Sequence, residues 1–168
     1  MIFFDFKSTQ LSLSRLLLFV AVLVLLTGCG ASRKAKVREQ KTAAVIQTAR
    51  SYTGTPYKYG GATRAGMDCS ALTSAAYRAI SVNLPRTADA QASVGDKVKK
   101  EELRPGDLVF FATGKKRKEI THVGIVTEVR NPENIKFIHA STSLGVVETN
   151  LFSDYYAKRY RGARRVVE

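Results

Sequence analysis

Cysteine and histidine are scarce in this chain, with two of each in 168 residues: Cys29, Cys69, His122 and His139. No CxxC or HExxH pair is present, so the short-spaced ligand sets of common zinc sites are missing. No GxSxG elbow presents a serine nucleophile, although Ser70 adjoins a cysteine. There is no internal repeat, no low-complexity tract and no second module that could form a separate binding domain. Acidic residues are few as well, 14 against 27 basic, for a formal net charge of +13. That balance suits an anionic partner, and the length leaves room for one ordinary domain.

What is present begins with an N-terminal export pattern. Lys7 and Arg15 precede an unbroken apolar run of eleven residues at 16–26, LLLFVAVLVLL. Such a run is short for a bilayer span and suits the core of a signal peptide better than a transmembrane anchor. Leu26-Thr27-Gly28-Cys29 then resembles a bacterial lipobox, which implies cleavage before Cys29 and acylation of that residue. Several acyl chains on one residue give stable anchoring where one alone is marginal. The expected organisation is a signal peptide at 1–28, a lipidated tether at 29–42 and a folded domain at 43–168. Cys69 is then left without a disulfide partner in an oxidising compartment, which points to a thiol that is used. Lys7, Arg15 and Asp5 are the charged residues of the first 28, so 25 basic and 13 acidic residues remain. An exported chain meets anionic envelope polymers rather than nucleic acid, and no nucleic-acid partner is expected. The basic runs at 97–100 and 115–118 read as solvated loops.

Residues 30–41 are polar, basic and small, as a tether requires. From Thr42, the spacing of Ala44, Val45, Ala49 and Tyr52 predicts an amphipathic helix ending at Gly54. Residues 53–66, rich in Gly, Thr and Tyr, read as loop. A second helix is expected from Cys69 to about Ile80, with Asp68 as N-cap and a small-residue face of Ala71, Leu72, Ala75, Ala76 and Ala79. Short β-type runs follow at 107–112, 121–129, 135–140, 146–149 and 160–167. Helices followed by a meander of strands predict an α+β fold with an antiparallel sheet.

Cys69 would stand in the first turn of the second helix, where unpaired N–H groups and the helix dipole favour thiolate and lower its pKa. A histidine held in one tautomer would serve as its base. Both histidines fall on one predicted hairpin. If residues 129 and 134 pair across its turn, residue 124 lies opposite 139, and His122 and His139 become diagonal neighbours on one face. A shift of one residue would separate them. Zinc held by Cys69, His122, His139 and Asp68 is an alternative use of the same side chains. Asp107 reads as a turn residue before a strand.

Six segments occur in a fixed order: GTPYKYGG at 54–61, MDCSAL at 67–72, LPRTA at 84–88, LRPGDLVFF at 103–111, HVGIV at 122–126 and FIHAS at 137–141. Together they resemble the NlpC family of papain-like cell-wall cysteine peptidases, over roughly residues 43–166. The resemblance implies a papain-like α+β fold, N-terminal helices with the catalytic Cys69 at a helix start, packed on an antiparallel sheet. It implies Cys69 as nucleophile, His122 as base, His139 as the residue orienting His122, and Tyr57 as a hydroxyl near the nucleophile. Asp68 and Ser70 match positions that grip the amine of a peptide substrate in relatives, and Arg86 would face the cleft. Ala71 stands where many relatives have glycine, which bears on substrate preference.

The activity so implied is hydrolysis of an amide in peptidoglycan stem peptides, at the γ-D-glutamyl–diamino acid bond or the diaminopimelate–D-alanine cross-link. No cofactor and no metal are implied. A non-catalytic wall-binding scaffold, or an amidase or acyltransferase on the same fold, are the rival readings. The expected partners are stem peptides and, through Cys29, a membrane, with the protein a monomer. The expected location is the cell envelope, on the periplasmic side of the outer membrane, since Gly30 after the lipidated position is not acidic.

Overall fold

The computed structural model describes residues 7–167, with side chains described at 15–18 and 32–167. Cys29 and most of the apolar run at 16–26 therefore lie outside the described side chains. The chain divides into two compact units, residues 1–39 and 40–168.

Helix α1 (Lys7–Arg50) does not wait for Thr42, as the apolar spacing predicts, but includes residues 30–41. Ala, Arg, Lys, Glu and Gln dominate that stretch, all are good helix formers, and no proline interrupts them. In the second unit the last turns of α1 bury Val45, Ile46 and Ala49. The chain then turns at Gly54, whose φ of 81° suits a residue without a side chain.

Residues 53–66, read as loop, contain a small hairpin of β1 (Ala62–Thr63) and β2 (Gly66–Met67). Helix α2 (Cys69–Arg78) follows at once, and α3 (Ala88–Gln91) is a single turn capped by the Thr87 side chain. The sheet is built from β3 (Asp96–Val98), β4 (Leu108–Phe111), β5 (His122–Asn131), β6 (Asn134–Ser141), β7 (Gly145–Asn150) and β8 (Tyr160–Arg165). Its order is β3-β8-β4-β5-β6-β7, and every pair is antiparallel. A short helix, α4 (Asp154–Ala157), precedes β8. The expected α+β architecture is present, with β1, β2, β3, α3 and α4 as elements that periodicity did not reveal. All five are four residues or shorter, too short for a hydrophobic period to show.

Strand alternation splits the core into two layers. Leu108, Phe110, Val123, Ile125, Ile138 and Ala140 pack with Leu72, Ala76 and Tyr77 of α2. Val109, Phe111, Val126 and Phe137 point the other way, into a second cluster with Leu103, Leu151 and Ala163. Burial of both faces explains why β4 reads as a continuous apolar run rather than an alternating one.

The turn at 104–107 ties these layers together. Asp107 is 2% exposed, and its carboxylate accepts from Arg165 Nε at 2.9 Å, Arg165 Nη2 at 2.8 Å and the Arg104 N–H at 2.8 Å. The Gly106 N–H and Asp107 carbonyl pair with Val126 of β5, and the Tyr77 hydroxyl donates to the Gly106 carbonyl. One turn thus joins β8, β5 and α2, as the turn role read for Asp107 implies. Asp107→Ala leaves a largely buried guanidinium without its partner and is expected to cost about 3 kcal/mol. Urea denaturation will check it: the Asp107→Ala, Arg165→Ala double variant should lose clearly less than the two single losses combined.

Candidate active site

The site forms where α2 begins and β5 begins. Asp68 holds extended backbone (φ −94°, ψ 173°) and caps α2 by accepting the Ala71 N–H at 2.8 Å. This geometry places Cys69 in the first turn, a free thiol only 7% exposed. Burial is the largest influence on the thiol and pushes its pKa up, and the charge of Asp68 adds to that. The N–H groups of Val123, Ser70 and Cys69 itself pull the other way but do not prevail. The expectation of a lowered pKa at the helix start is therefore reversed, because desolvation of a buried anion outweighs a few oriented N–H groups.

The two histidines meet as the hairpin argument required, although by a different route. Ile125 pairs with Ile138 and Val126 with Phe137, which places Gly124 opposite His139. Val129, however, pairs with Ile135 rather than residue 134, and Asn131 pairs with Asn134 around a tighter turn. Two irregularities, between Val126 and Glu128 and between Val129 and Asn131, absorb the difference. Gly124 makes the approach possible. A Cβ there would lie 2.6 Å from Phe137 Cδ2, 2.8 Å from the Ile138 carbonyl oxygen and 3.2 Å from His139 Cβ.

His122 Nε2 lies 3.0 Å from His139 Nδ1, with the rings edge to face at 81°. His139 Nε2 lies 3.1 Å from the Thr149 hydroxyl on β7. If His139 donates from Nε2 to Thr149, its Nδ1 accepts from His122 Nε2–H, and the Nδ1 lone pair of His122 is left as a base. Phe137 stacks on His139 at 4.8 Å, and the Tyr156 ring packs edge-on against it at 5.0 Å. The Tyr156 hydroxyl reaches to 3.5 Å of His139 Nδ1. Burial among these rings pushes His122 down to about 4 and His139 down to about 3, the latter helped by the charge of His122. At neutral pH both imidazoles are neutral.

Tyr57 is half-buried against the core cluster that includes Cys69, and burial first, then the neighbouring Cys69 and Asp68, raises its pKa. It is carried by the segment 54–57, whose backbone pairs with Val146 of β7 through the Gly54 N–H and the Thr55 carbonyl. Asp68, Ser70 and Arg86 also converge. Arg86 Nη1 and Nη2 lie 3.0 and 2.6 Å from the two Asp68 oxygens, and Nη1 lies 2.9 Å from Ser70 Oγ. Burial alone would raise the Asp68 carboxyl, but bonds from Arg86, Ala71 and Ser70 hold it below the usual carboxylate range.

Beside the histidines runs a groove of about 560 Å³, lined by Ser141, Ser143, Leu144, Thr149 and Tyr155 among others. It is rich in hydroxyls and carries no acidic or basic side chain other than the histidines. Among the described residues, no three His, Cys, Asp or Glu side chains gather as a metal would require. The structure thus gathers Tyr57, Asp68, Ser70 and Arg86 around Cys69 at the start of α2, and His122 and His139 at the start of β5, where the neighbouring Val123 N–H serves the Cys69 sulfur. Cys29 lies outside the described side chains. Sequence reasoning missed Thr149, Tyr156 and the contact role of Gly124. Thr149 sits on a recognisable strand, but nothing in its own segment marks it as a histidine's partner.

A free thiol opening a helix on an antiparallel sheet, with a hydrogen-bonded imidazole at the adjoining strand start, defines a papain-like cysteine peptidase. Residues 54–165 match the NlpC/P60 family, and the chain belongs to it. It is 40% identical over 159 residues to the "Probable endopeptidase NlpC" of Escherichia coli K12, covering 90% of this chain and 99% of that one. It is 33% identical over 176 residues to the "Murein DD-endopeptidase MepS/Murein LD-carboxypeptidase" of the same organism, covering 88% and 89%. Among solved structures, an NlpC/P60 family protein from Bacillus cereus aligns with a TM-score of 0.68 at 30% identity. That alignment covers 76% of this chain and 40% of the longer Bacillus cereus chain.

Depressed histidine pKa values link directly to stability. Above the ordinary value of 6.5, folded and unfolded chains both hold neutral rings. As pH falls from there towards about 4, the unfolded chain takes up protons that the buried rings refuse, so stability is lost across that window. The loss is expected to be a few kcal/mol, on the order set by 1.4 kcal/mol per pKa unit. Urea midpoints measured against pH will show it, and replacing both histidines by glutamine should flatten the slope.

Proposed function

We propose that this protein is a lipid-anchored peptidoglycan endopeptidase that cleaves an amide in stem peptides with Cys69, His122 and His139. The observation that carries the reading is the hydrogen-bonded series His122–His139–Thr149, with a free, buried thiol where the adjoining helix starts. The murein endopeptidase activity named for the MepS relative supports the substrate class.

In this mechanism the resting pair is neutral, because burial disfavours both the thiolate and the imidazolium. Substrate binding brings the carbonyl to Sγ, and the thiol proton passes to His122 Nδ1 as the carbon–sulfur bond forms. The oxyanion is met by the Cys69 N–H, in the open first turn of α2, and by the Tyr57 hydroxyl. Collapse breaks the amide C–N bond, and the imidazolium gives its proton to the leaving amine. Water, deprotonated by His122, then hydrolyses the thioester, releasing the carboxylate and restoring the thiol. His139 keeps the His122 ring edge-on to it, and with His139 Nε2–H donating to Thr149 the Nδ1 lone pair of His122 is free.

Two bonds fit this chemistry: the γ-D-glutamyl–diamino acid bond and the diaminopimelate–D-alanine cross-link. Cys29, acylated, holds the domain at the periplasmic face of a membrane within reach of the wall, the segment 1–28 having been removed as a signal peptide and 29–42 serving as tether. The excess of basic residues draws the domain to anionic envelope polymers.

Digestion of purified peptidoglycan with wild type should release new peptide ends that mass spectrometry identifies, and Cys69→Ala should lower their rate at least about a thousandfold, as removal of a nucleophile does. Ends that persist in the variant would remove Cys69 from the mechanism. For the anchor, cells grown with labelled palmitate should yield labelled wild-type protein, and Cys29→Ala should carry no label. Wild-type protein without label would count against acylation at that position.

A further inference from the structure

Asp68 is the carboxylate next to the thiol, and a positively charged substrate group entering the cleft would seek it. Its capacity is already spent. Oδ1 accepts from the Ala71 N–H at 2.8 Å, Ser70 Oγ at 3.0 Å and Arg86 Nη1 at 3.0 Å. Oδ2 accepts from the Gly60 N–H at 3.0 Å and Arg86 Nη2 at 2.6 Å. Five donors meet a group with about four lone-pair sites. The Ser70 hydroxyl spends its proton on Asp68 and accepts from Arg86. An ammonium could enter only by expelling a guanidinium from a bidentate pair whose carboxylate side chain is 9% exposed.

Arg86 is different, because its side chain is 50% exposed. Its Nη1 protons serve Asp68 and Ser70, and one Nη2 proton serves Asp68. The Nε–H and the second Nη2–H make no hydrogen bond among the described residues, and together they form the side-on fork that fits a carboxylate in bidentate fashion. Arg86 is bonded to Asp68 and Ser70, the two residues that flank Cys69, so the fork stands beside the segment that carries the sulfur. The charge that this end of the cleft offers to solvent is positive, although its buried member is an acid.

We propose that Arg86 determines specificity: the site takes peptides that present a carboxylate near the scissile amide and an acylated N-terminus, and disfavours those with a free terminal ammonium there. This rests on the peptidase reading above and narrows its substrate class to stems still attached through their N-terminus. The Asp68–Ser70 pair then acts as the mount for Arg86 rather than as an amine clamp.

The test uses one stem-type peptide in three forms: free N-terminus, acetylated N-terminus, and acetylated with its α-carboxylate amidated. At about pH 6, where a terminal amine is charged, wild type should favour the acetylated form over the free amine by about tenfold or more in kcat/KM, with the difference chiefly in KM. Amidation should cost wild type about tenfold to a hundredfold, the worth of a charge-assisted pair. Arg86→Gln should be insensitive to amidation and should gain on the free-amine peptide, while Arg86→Lys should keep part of the preference for the carboxylate. Equal or better cleavage of the free amine by wild type would overturn the proposal, as would an amidation penalty unchanged in Arg86→Gln. Calorimetric affinities of Cys69→Ala for the three peptides read the same preference without turnover. Failure of wild type to cleave any form would then sink the peptidase reading, while the affinity ratios still decide the role of Arg86.

Discussion

The pairing of β5 with β6 is the constraint on which the site depends. Side chains alternate across a strand, so a shift of one residue would send one imidazole to the helix-facing layer and leave the other behind. The register is held where it matters, at Ile125–Ile138 and Val126–Phe137, and relaxed where it does not, in the irregular stretch towards the turn. Gly124 has no side chain to keep Phe137 and His139 away, and the Asp107 turn clasps Val126 from the other side. The 3.0 Å contact between the imidazoles therefore rests on backbone pairing and on one missing methyl group, more than on any attraction between the rings.

Desolvation gives this site its electrostatic character. The same burial that shields Cys69 also disfavours its thiolate, and the rings around His139 disfavour imidazolium. A neutral thiol and neutral imidazoles result, because each would have to give up solvation to carry charge. Asp68 is the exception, a buried acid kept charged by five donors, and it passes its influence outward through Arg86. The cleft thereby combines a neutral reacting pair, a hydroxyl-rich groove and one cationic fork, a set of features suited to a polar peptide that carries carboxylates.

Much of this could be read along the chain. The cap and first turn of α2 were legible because Asp68-Cys69-Ser70 is a local signal, satisfied by backbone groups within three residues. Five of the sheet strands were legible from their apolar runs, and the six ordered segments pointed to the family. The helix through residues 30–41 was not legible because polar, basic composition describes a solvated coil and a solvated helix equally well. The hairpin's irregularities were invisible for a related reason, since bulges leave the apolar pattern almost unchanged.

By itself the sequence determined which groups could do chemistry: a cysteine behind a cap residue that sets it at a helix start, and two histidines on one hairpin. Only the tertiary structure decided how those groups behave. That Asp68 is consumed by Arg86 and that Thr149 completes the histidine series depend on partners 18 and 10 residues away, and that burial raises rather than lowers the thiol's pKa depends on the packing around it. Local rules carry no information about such partners, because desolvation and hydrogen bonding act through distance in space, and the fold alone sets that distance.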